Sequence, residues 1–409
     1  MRLLSAFLSL GLLSAAPFVP ADLSRMRAVQ QVAFSPDGTR IAYTVQNHHA
    51  PGMPYSQLWV LTLADGNSVR LAEGQDNSGS PVWSPDGAFI AYSGRAAGKT
   101  GLIVARADGS SPRWLAPLGD TNHPLPSRGA RFAWSPDSKR LVFVDATPGP
   151  ETADATGDPV VITRYIYKPD LDEGNTRFND NKRLHLFTVD LASGAIRQLT
   201  RGNHYEHSVD WSPKGNEILF VSNREPNEDQ FFNYDLFAIN PDSEAIRRLT
   251  ATENIEYRPR FSPDARFIVY QGCKRGLTDL ETTMEDTHVW TTDADGARRR
   301  ELVTIDNRQG PPSWSPDGNT VYFTVQSRGS VHLYRQPFPE GPAQPLITEP
   351  GAVSAVSPGP IGQLAYVFTA PGRPAELYLR SANGQSRRLT DLNATSRGTS
   401  PSGVPMSAE

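Results

Sequence analysis

The chain has 409 residues, of which 38% are hydrophobic and 21% charged, and its formal net charge is -4. These values exclude an intrinsically disordered chain. The sequence has no cluster of Lys and Arg of the kind that binds nucleic acid or an anionic membrane. The 35 Pro and 33 Gly predict many turns, and the single cysteine, Cys273, excludes an intrachain disulfide.

The first 21 residues, "MRLLSAFLSLGLLSAAPFVPA", have the pattern of a secretory signal peptide. Arg2 precedes an apolar run from Leu3 to Leu13, and small residues follow it. The run is too short for a stable membrane anchor, and a buried N-terminal helix is the alternative interpretation. We therefore predict a signal peptide over residues 1–21 and an exported protein, either periplasmic or secreted.

One phrase recurs along the rest of the chain, in the form aromatic-Ser-Pro-Asp-Gly followed by a strand-like run. Most copies are about 50 residues apart, which fits a unit of four short strands. One interval, between the third and fourth copies, is longer and contains an insertion. The seven copies begin at Phe34, Trp83, Trp134, Trp211, Phe261, Trp314 and, in a degraded form, Val356.

Each copy predicts a chain reversal between two strands. Pro sets φ for a turn, Asp bonds to nearby backbone N–H groups and Gly tolerates a positive φ. A second hairpin follows in every unit, most often with an Asp-Gly, Ser-Gly or Asn-Gly turn. The chain is therefore predicted to be all-β, a seven-bladed β-propeller of four-stranded antiparallel blades over residues 22–392. A solenoid of stacked repeats is the alternative.

The propeller ring is expected to close without exchange of a strand. The first copy begins with its own first strand, and the seventh copy ends with its own last strand. Side-chain packing between the first and last blades is then the predicted closing contact. The small polar residues 393–409 are predicted to be a disordered tail.

The histidines do not predict a metal site. His185, His288 and His332 open the third strand of their units, where other units have Gln57, Asp235 or Glu376. A position with such varied polar residues is typical of a strand edge. His204, His207 and Asp210 have a spacing that suits a metal ion, but a pair of loop histidines is the favoured interpretation. We therefore predict no metal and no cofactor.

An insertion within blade three, residues 147–183, is the longest departure from the repeat. Its centre, Val160 to Tyr167, is strand-like, and long excursions on a rigid scaffold often recognise ligands. Arg164, Tyr165 and Tyr167 are our candidates for residues that face a substrate or partner. The alternative is a hairpin that only shields the edge of the blade.

Four phrases carry more information than the repeated turn alone: "VPADLSRMRAVQQVAFSPDGTRIAY", "DPVVITRYIYK", "WSPKGNEILFVSNRE" and "VYFTVQSRGSVHLYR". They resemble the propeller half of the prolyl oligopeptidase family of serine peptidases, in its acylaminoacyl-peptidase and dipeptidyl-peptidase-like branch. The Ser-Pro-Asp-Gly repeat alone is shared with TolB-type propellers.

The resemblance implies a propeller that acts as a lid over an α/β-hydrolase domain and admits only small peptides. Only 17 residues follow Leu392, and no G-x-S-x-G nucleophile elbow is present, so no catalytic Ser, Asp or His is assigned. The expected function is a non-catalytic propeller that gates substrates or binds a peptide or protein partner, such as a separate hydrolase chain. The alternatives are a TolB-like periplasmic interaction module and an enzyme that acts through the propeller itself.

Overall fold

The computed structural model describes residues 19–50, 52–71, 76–125, 129–152, 162, 164–167, 178–226, 228–230, 232–273 and 286–394. This part of the chain forms 28 strands. It also contains one short helix, α1 (Pro20–Leu23), before the first strand, and one 3-10 turn (Pro150–Thr152). No helix in these ranges is long and apolar enough to cross a lipid bilayer.

Five separate four-stranded antiparallel blades follow one another along the chain. Blade one contains β1 (Ala28–Phe34), β2 (Arg40–Asn47), β3 (Tyr55–Thr62) and β4 (Ser68–Arg70). Blade two contains β5 (Gly79–Trp83), β6 (Phe89–Ala96), β7 (Lys99–Arg106) and β8 (Arg113–Ala116). Blade three contains β9 (Phe132–Trp134), β10 (Arg140–Pro148), β11 (Lys182–Asp190) and β12 (Ile196–Gln198). Blade four contains β13 (Glu206–Trp211), β14 (Ile218–Ser222), β15 (Asp235–Ile239) and β16 (Ile246–Arg248). Blade five contains β17 (Glu256–Phe261), β18 (Phe267–Cys273), β19 (Thr287–Asp293) and β20 (Arg300–Glu301).

The remaining eight strands form a single sheet. Its first half contains β21 (Ser313–Trp314), β22 (Thr320–Ser327), β23 (Ser330–Pro337) and β24 (Gln344–Ile347). Its second half contains β25 (Ala352–Pro358), β26 (Leu364–Ala370), β27 (Arg373–Arg380) and β28 (Ser386–Arg388).

This eight-stranded sheet corrects the prediction of seven separate blades. The all-β propeller and its four-stranded antiparallel blades are confirmed, but the described residues form five such blades and one larger sheet. The two halves of that sheet meet at one parallel bridge, Val331 with Ala352. The backbone N–H of Val331 donates to the carbonyl of Gly351 at 2.9 Å. The connection after β24 thus leaves the start of β25 close enough to β23 to form a ladder hydrogen bond.

The Ser-Pro-Asp-Gly phrases are turns, as predicted. In the phrase that begins at Trp314, the Ser315 hydroxyl donates to Asp317 at 2.5 Å and accepts from the backbone N–H of Thr320 at 2.9 Å. Gly318 has φ +72°, a conformation that L side chains rarely adopt. The same serine–aspartate hydrogen bond forms at Ser35, Ser84, Ser135 and Ser262.

The hydrophobic core consists of seven clusters of buried side chains within the described ranges, each between neighbouring layers of strands. One of these clusters includes Tyr322, Val353 and Tyr366 and lies between the two halves of the eight-stranded sheet. Apolar residues on both faces of each layer account for the continuous apolar runs of the second strands, as in Ile218–Val221.

The ring closes between blade one and the end of the eight-stranded sheet. Side chains of both, including Ile41, Tyr43 and Val367, form one buried cluster. Asn393 adds two hydrogen bonds to the backbone of Arg27, at 2.9 Å to its N–H and 2.8 Å to its carbonyl. Asn393 is the first residue of the predicted tail, yet it is buried in this contact. Side-chain packing therefore closes the ring together with side-chain hydrogen bonds.

Candidate functional site

The connections of the propeller divide between its two faces. Because the strands of a blade are antiparallel, the end of the second strand and the start of the third lie at one end of the blade. The links from the fourth strand to the next blade lie at that same end. We call this end the loop face, and it includes the insertion between β10 and β11. The Ser-Pro-Asp-Gly turns lie on the opposite face.

A central channel with a cavity volume of about 390 Å³ runs between the innermost strands. All five blades and both halves of the eight-stranded sheet contribute to its lining. The volume is within the range of about 300–1,000 Å³ found for small-ligand pockets. The lining residues that the following paragraphs use are Gln31, Ser80, Arg131, Ser208, Arg258, Arg260 and Pro311.

Irregularities in the innermost strands shape this lining. The register of β5, β13 and β17 shifts within each strand, as expected for a β-bulge. At these shifts Ser80, Ser208 and Arg258 have φ values of 53°, 58° and 53°. A bulge redirects the side chains of a strand, and here the redirected residues line the channel.

Among the described residues, the ionisable side chains of the lining are all cationic, since Arg131, Arg258 and Arg260 line the channel and no Asp or Glu does. Two of these arginines are held by carboxylates from behind the lining. Arg131 lies 3.8 Å from Asp120, and Arg260 lies 3.0 Å from Asp210. The channel therefore presents guanidinium groups to whatever enters it.

The surroundings of Arg258 disfavour its positive charge. Arg258 is solvent-accessible from the channel but surrounded by protein, and this burial lowers its pKa below the usual value. The positive charges of Arg260 and Arg308 act in the same direction, and Tyr257 partly opposes them. An anionic group in the channel would relieve this excess of positive charge.

Arg164 of the insertion is held in a network of buried charges. Its side chain is only 9% exposed, and its guanidinium donates to Asp229 at 2.6 Å and to the Tyr205 hydroxyl at 2.7 Å. Glu151 lies 4.0 Å from Arg164 and 2.8 Å from Arg183. Burial alone would lower the pKa of Arg164, but Tyr205 and Asp229 outweigh it and raise the pKa. The network joins Arg164 to residues of blades three and four.

Tyr165 and Tyr167, the other two candidates, point outward. They are 66% and 41% exposed, and two more apolar residues of the insertion, Ile162 and Phe178, are 54% and 46% exposed. The rings of Tyr167 and Phe178 lie 6.4 Å apart. We call these four residues the insertion patch. Large exposed apolar side chains that gather in one segment are typical of interaction sites.

The polar residues that the sequence placed at the start of the third strands hydrogen-bond to residues near the fourth strand or in the next blade. The Thr250 hydroxyl donates to Asp235 at 3.1 Å, and the Thr390 hydroxyl donates to Glu376 at 2.5 Å. In blade three, Nδ1 of His185 lies 2.8 Å from Glu206, which also accepts from Thr200. Asp235 opens β15 as predicted, but His185 and Glu376 are the fourth residues of β11 and β27, so the prediction that they open their strands is wrong.

The structure does not bring His204, His207 and Asp210 together at one metal position. Nδ1 of His204 lies 2.8 Å from Glu228, and Nδ1 of His207 lies 3.0 Å from the Ser208 hydroxyl. Asp210 pairs with Arg260 of the next blade. His204 lies in the connection before β13, as expected for a loop residue, but His207 and Asp210 lie within β13, so the interpretation as a pair of loop histidines is wrong for His207.

The known proteins that are similar in sequence to this chain include a longer peptidase. No protein-family model matches the chain. An uncharacterized peptidase of Bacillus subtilis, YuxL, is 27% identical over 405 residues, which cover 91% of this chain and 58% of YuxL. The chain thus spans less than two thirds of this curated relative.

Two solved structures share the fold. The acylaminoacyl peptidase of Pyrococcus horikoshii has a TM-score of 0.70 at 18% identity, over 92% of this chain and 54% of that protein. The β-propeller domain of the Trilobed protease from Pyrococcus furiosus has a TM-score of 0.61 at 17% identity, over 90% of this chain and 99% of that domain. This chain resembles the propeller domains of prolyl oligopeptidase-family peptidases. In the described residues of this chain, no strand is exchanged between blade one and the eight-stranded sheet.

The sequence interpretation missed the arginines of this peptidase-like propeller, although the repeat contained a signal for them. The residue three positions before each aromatic of the repeated phrase is Gln31, Ser80, Arg131, Ser208, Arg258, Pro311 or Val353. Six of these seven line the channel. Two of the six are arginines, so aligning the copies and reading the positions before the turn would have found them.

Proposed function

We propose that this chain is the substrate-gating or partner-binding propeller of an exported serine peptidase of the prolyl oligopeptidase type, and that the propeller itself is non-catalytic. The observation that supports this most directly is the cationic lining of the central channel. A cavity of about 390 Å³ has room for a short stretch of extended peptide, but not for a folded protein. Arg258 and Arg260 would then bind the carboxylate groups of such a peptide.

The proposed peptide-binding mode follows from the charge and the geometry. A free C-terminal carboxylate is the anionic group that every peptide carries, and guanidinium groups bind it through charge-assisted hydrogen bonds. We therefore expect the channel to prefer short peptides with a free C-terminus over the same peptides with a C-terminal amide.

We also propose that the propeller functions as seven packed layers. The cluster around Tyr322, Val353 and Tyr366 lies between the two halves of the eight-stranded sheet, as other clusters lie between separate blades. A single bridge joins the halves at the edge. The eight-stranded sheet would then act as two adjacent blades of one ring around the channel.

Export remains part of the proposal because of the charge and apolar pattern of residues 1–21. That segment falls almost entirely outside the described residues, except for Val19, Pro20 and Ala21. Cleavage is tested by expressing the full chain in a bacterial host and determining the N-terminus of the periplasmic product. Removal of about 16 to 21 residues is the expected result.

The test of the function uses the purified chain and two kinds of probe. A fluorescent hexapeptide with a free C-terminus should bind, and its C-terminal amide should bind more weakly. The same peptide sequence placed in a disulfide-closed loop of a folded carrier should not compete. Acyl-amino-acid and dipeptidyl chromogenic substrates should show no turnover, and turnover that a serine-directed inhibitor abolishes would contradict the non-catalytic assignment.

A protein-interaction module similar to TolB is the second candidate, and the insertion patch favours it. Tyr165, Tyr167, Phe178 and Ile162 present apolar surface on the loop face, outside the channel. If a protein docks there, Tyr165→Ala should weaken its binding and leave hexapeptide binding unchanged. The opposite pattern, loss of peptide binding alone, would favour the channel.

A further inference from the structure

Three ionisable side chains converge at the junction between blade five and the eight-stranded sheet. Asp286 directly precedes β19, His288 is the second residue of β19, and Asp306 lies in the connection from β20 to β21. One ligand atom from each lies within 4.8 Å of the others, and no other such group of three occurs in the described ranges. All three residues lie on the loop face, away from the channel lining.

His288 is the unusual member of this group. Its side chain is fully buried, and its Nδ1 lies 2.5 Å from the carboxylate of Glu301. Among the residues that the structure describes, its buried Nε2 has no hydrogen-bond partner, although the nearest carboxylate oxygen of Asp286 is only 3.3 Å away. A buried nitrogen that faces a carboxylate but forms no hydrogen bond with it needs a physical explanation.

The contact with Glu301 determines which ring nitrogen holds the proton of a neutral His288. Nδ1 also lies 3.3 Å from the amide nitrogen of Gln309, but the 2.5 Å contact with Glu301 is much the shorter of the two. A carboxylate accepts hydrogen bonds, so Nδ1 is the donor and Nε2 has a lone pair. That lone pair then points toward the negative charge of Asp286, and the two repel. A cation between Nε2 and the carboxylates would convert this repulsion into attraction.

We propose that Asp286, His288 and Asp306 bind a divalent transition-metal cation of the Zn²⁺ class. Zn²⁺ takes nitrogen and oxygen ligands at about 2.0–2.2 Å, which places the ligands of a tetrahedron about 3.4 Å apart. The 3.3 Å separation of Nε2 from Asp286 matches this value. Asp306 is exposed, so its side chain can move the remaining distance toward the ion. The protein supplies three ligands, and the fourth tetrahedral position is open.

The surrounding residues have the arrangement of an outer shell for such a site. Metal-bound histidines donate their second N–H to a carboxylate or carbonyl, which fixes the ring and makes the ligand nitrogen more basic. Glu301 occupies that position at Nδ1. Gln309 holds the same segment of β19, since its Oε1 accepts from the N–H of Val289 at 2.9 Å.

Blade five also departs from the repeat at this point. Blades three and four and the end of the eight-stranded sheet have a Thr at the end of the fourth strand, and its hydroxyl accepts from the backbone of the third strand. The equivalent residue of blade five is Val303, which has no hydroxyl. Gln309 replaces that hydrogen bond from the next connection. A metal ion on Asp306 would fix the same connection to β19.

Zinc binding to the untagged, EDTA-treated full chain is the direct test. Isothermal titration with Zn²⁺, supported by metal analysis after dialysis, should show one ion per chain, and Zn²⁺ should raise the melting temperature by mass action. The variant with Asp286→Asn and Asp306→Asn keeps the size of both side chains and should lose at least tenfold in affinity. Glu301→Gln should lose about 10–100-fold, as is typical of second-shell partners.

The matched control is Glu253→Gln, which removes one exposed carboxylate from an equivalent connection on the loop face. It should bind Zn²⁺ as the wild type does. Asp306 is exposed, so Asp306→Asn alone tests the site even if changes at buried His288 prevent folding. An absence of Zn²⁺ binding by the wild type, or equal binding by Asp306→Asn and the wild type, would overturn the proposal.

Discussion

Glu256 illustrates how burial competes with charge pairing at a single residue. Its side chain is fully buried, and burial raises its pKa from 4.5 to about 7, although Arg299 at 3.1 Å acts to lower it. Its Oε2 is buried and accepts no hydrogen bond within the described ranges. The native state thus retains a proton on Glu256 at pH values where the unfolded chain has lost it.

This retention predicts a pH dependence of stability. Between pH 4.5 and about 7, unfolding releases the proton of Glu256, so the free energy of unfolding falls as the pH rises through this window. The slope from one group is at most about 1.4 kcal/mol per pH unit. Urea denaturation of the wild type and of Glu256→Gln at pH 5, 6 and 7 should show the wild type losing stability relative to the variant. A wild type that instead gains stability with pH would indicate an ionised carboxylate paired with Arg299.

Arg164 and Tyr165 are sequence neighbours with opposite predicted effects. Arg164→Ala removes the guanidinium partner of Asp229, whose side chain is 18% exposed, and losing a hydrogen bond to a charged group costs about 1.5–3 kcal/mol. Tyr165 is 66% exposed, so Tyr165→Ala should change the free energy of unfolding by no more than about 0.5 kcal/mol. Chemical denaturation of both variants measures the difference. Equal stability of Arg164→Ala and the wild type would show that the buried network does not hold the insertion.

At the scale of elements, Asn393 fixes the last strand region to the first. Its two hydrogen bonds to the backbone of Arg27 join residues near opposite ends of the chain, at the place where the ring closes. Asn393→Ala removes both hydrogen bonds to the partly buried backbone of Arg27, which at about 0.5–1.5 kcal/mol each costs about 1–3 kcal/mol. Asn67→Ala, in an exposed turn of blade one, is the control and should cost less than about 0.5 kcal/mol. Similar melting temperatures for both variants would show that packing alone closes the ring.

The elements also show how far the sequence predicts the fold. The repeated turn, the strand alternation and the four-strand unit are local patterns, so Ser315, Asp317 and Gly318 are enough to locate the reversal. The bridge between Val331 and Ala352 depends on how one connection lies against a strand, and no local pattern encodes it. That is why the blades were predicted correctly but their separation at the end of the chain was not.

The site residues were harder to predict because the residues of one site come from several separate elements of the chain. Asp286 and Asp306 are 20 residues apart on two connections, and only the position of β19 brings them to His288. Treating His288 as one case of a repeated strand-edge position hid its difference from His185. Arg164 was recognised as unusual from the insertion, but its burial depends on Asp229, which lies in another blade.

The whole molecule is a ring of β layers around a cationic channel. We propose that this channel binds peptides. Binding of a fluorescent hexapeptide with a free C-terminus to wild type, Arg258→Gln and Arg387→Gln tests this most directly. Arg387 is exposed on β28, outside the channel lining, and controls for the loss of one positive charge. Losing a charge-assisted hydrogen bond costs about 1.5–3 kcal/mol, so Arg258→Gln should raise Kd by about ten- to a hundredfold, while Arg387→Gln should not change it. Equal affinities for all three proteins would contradict peptide binding in the channel.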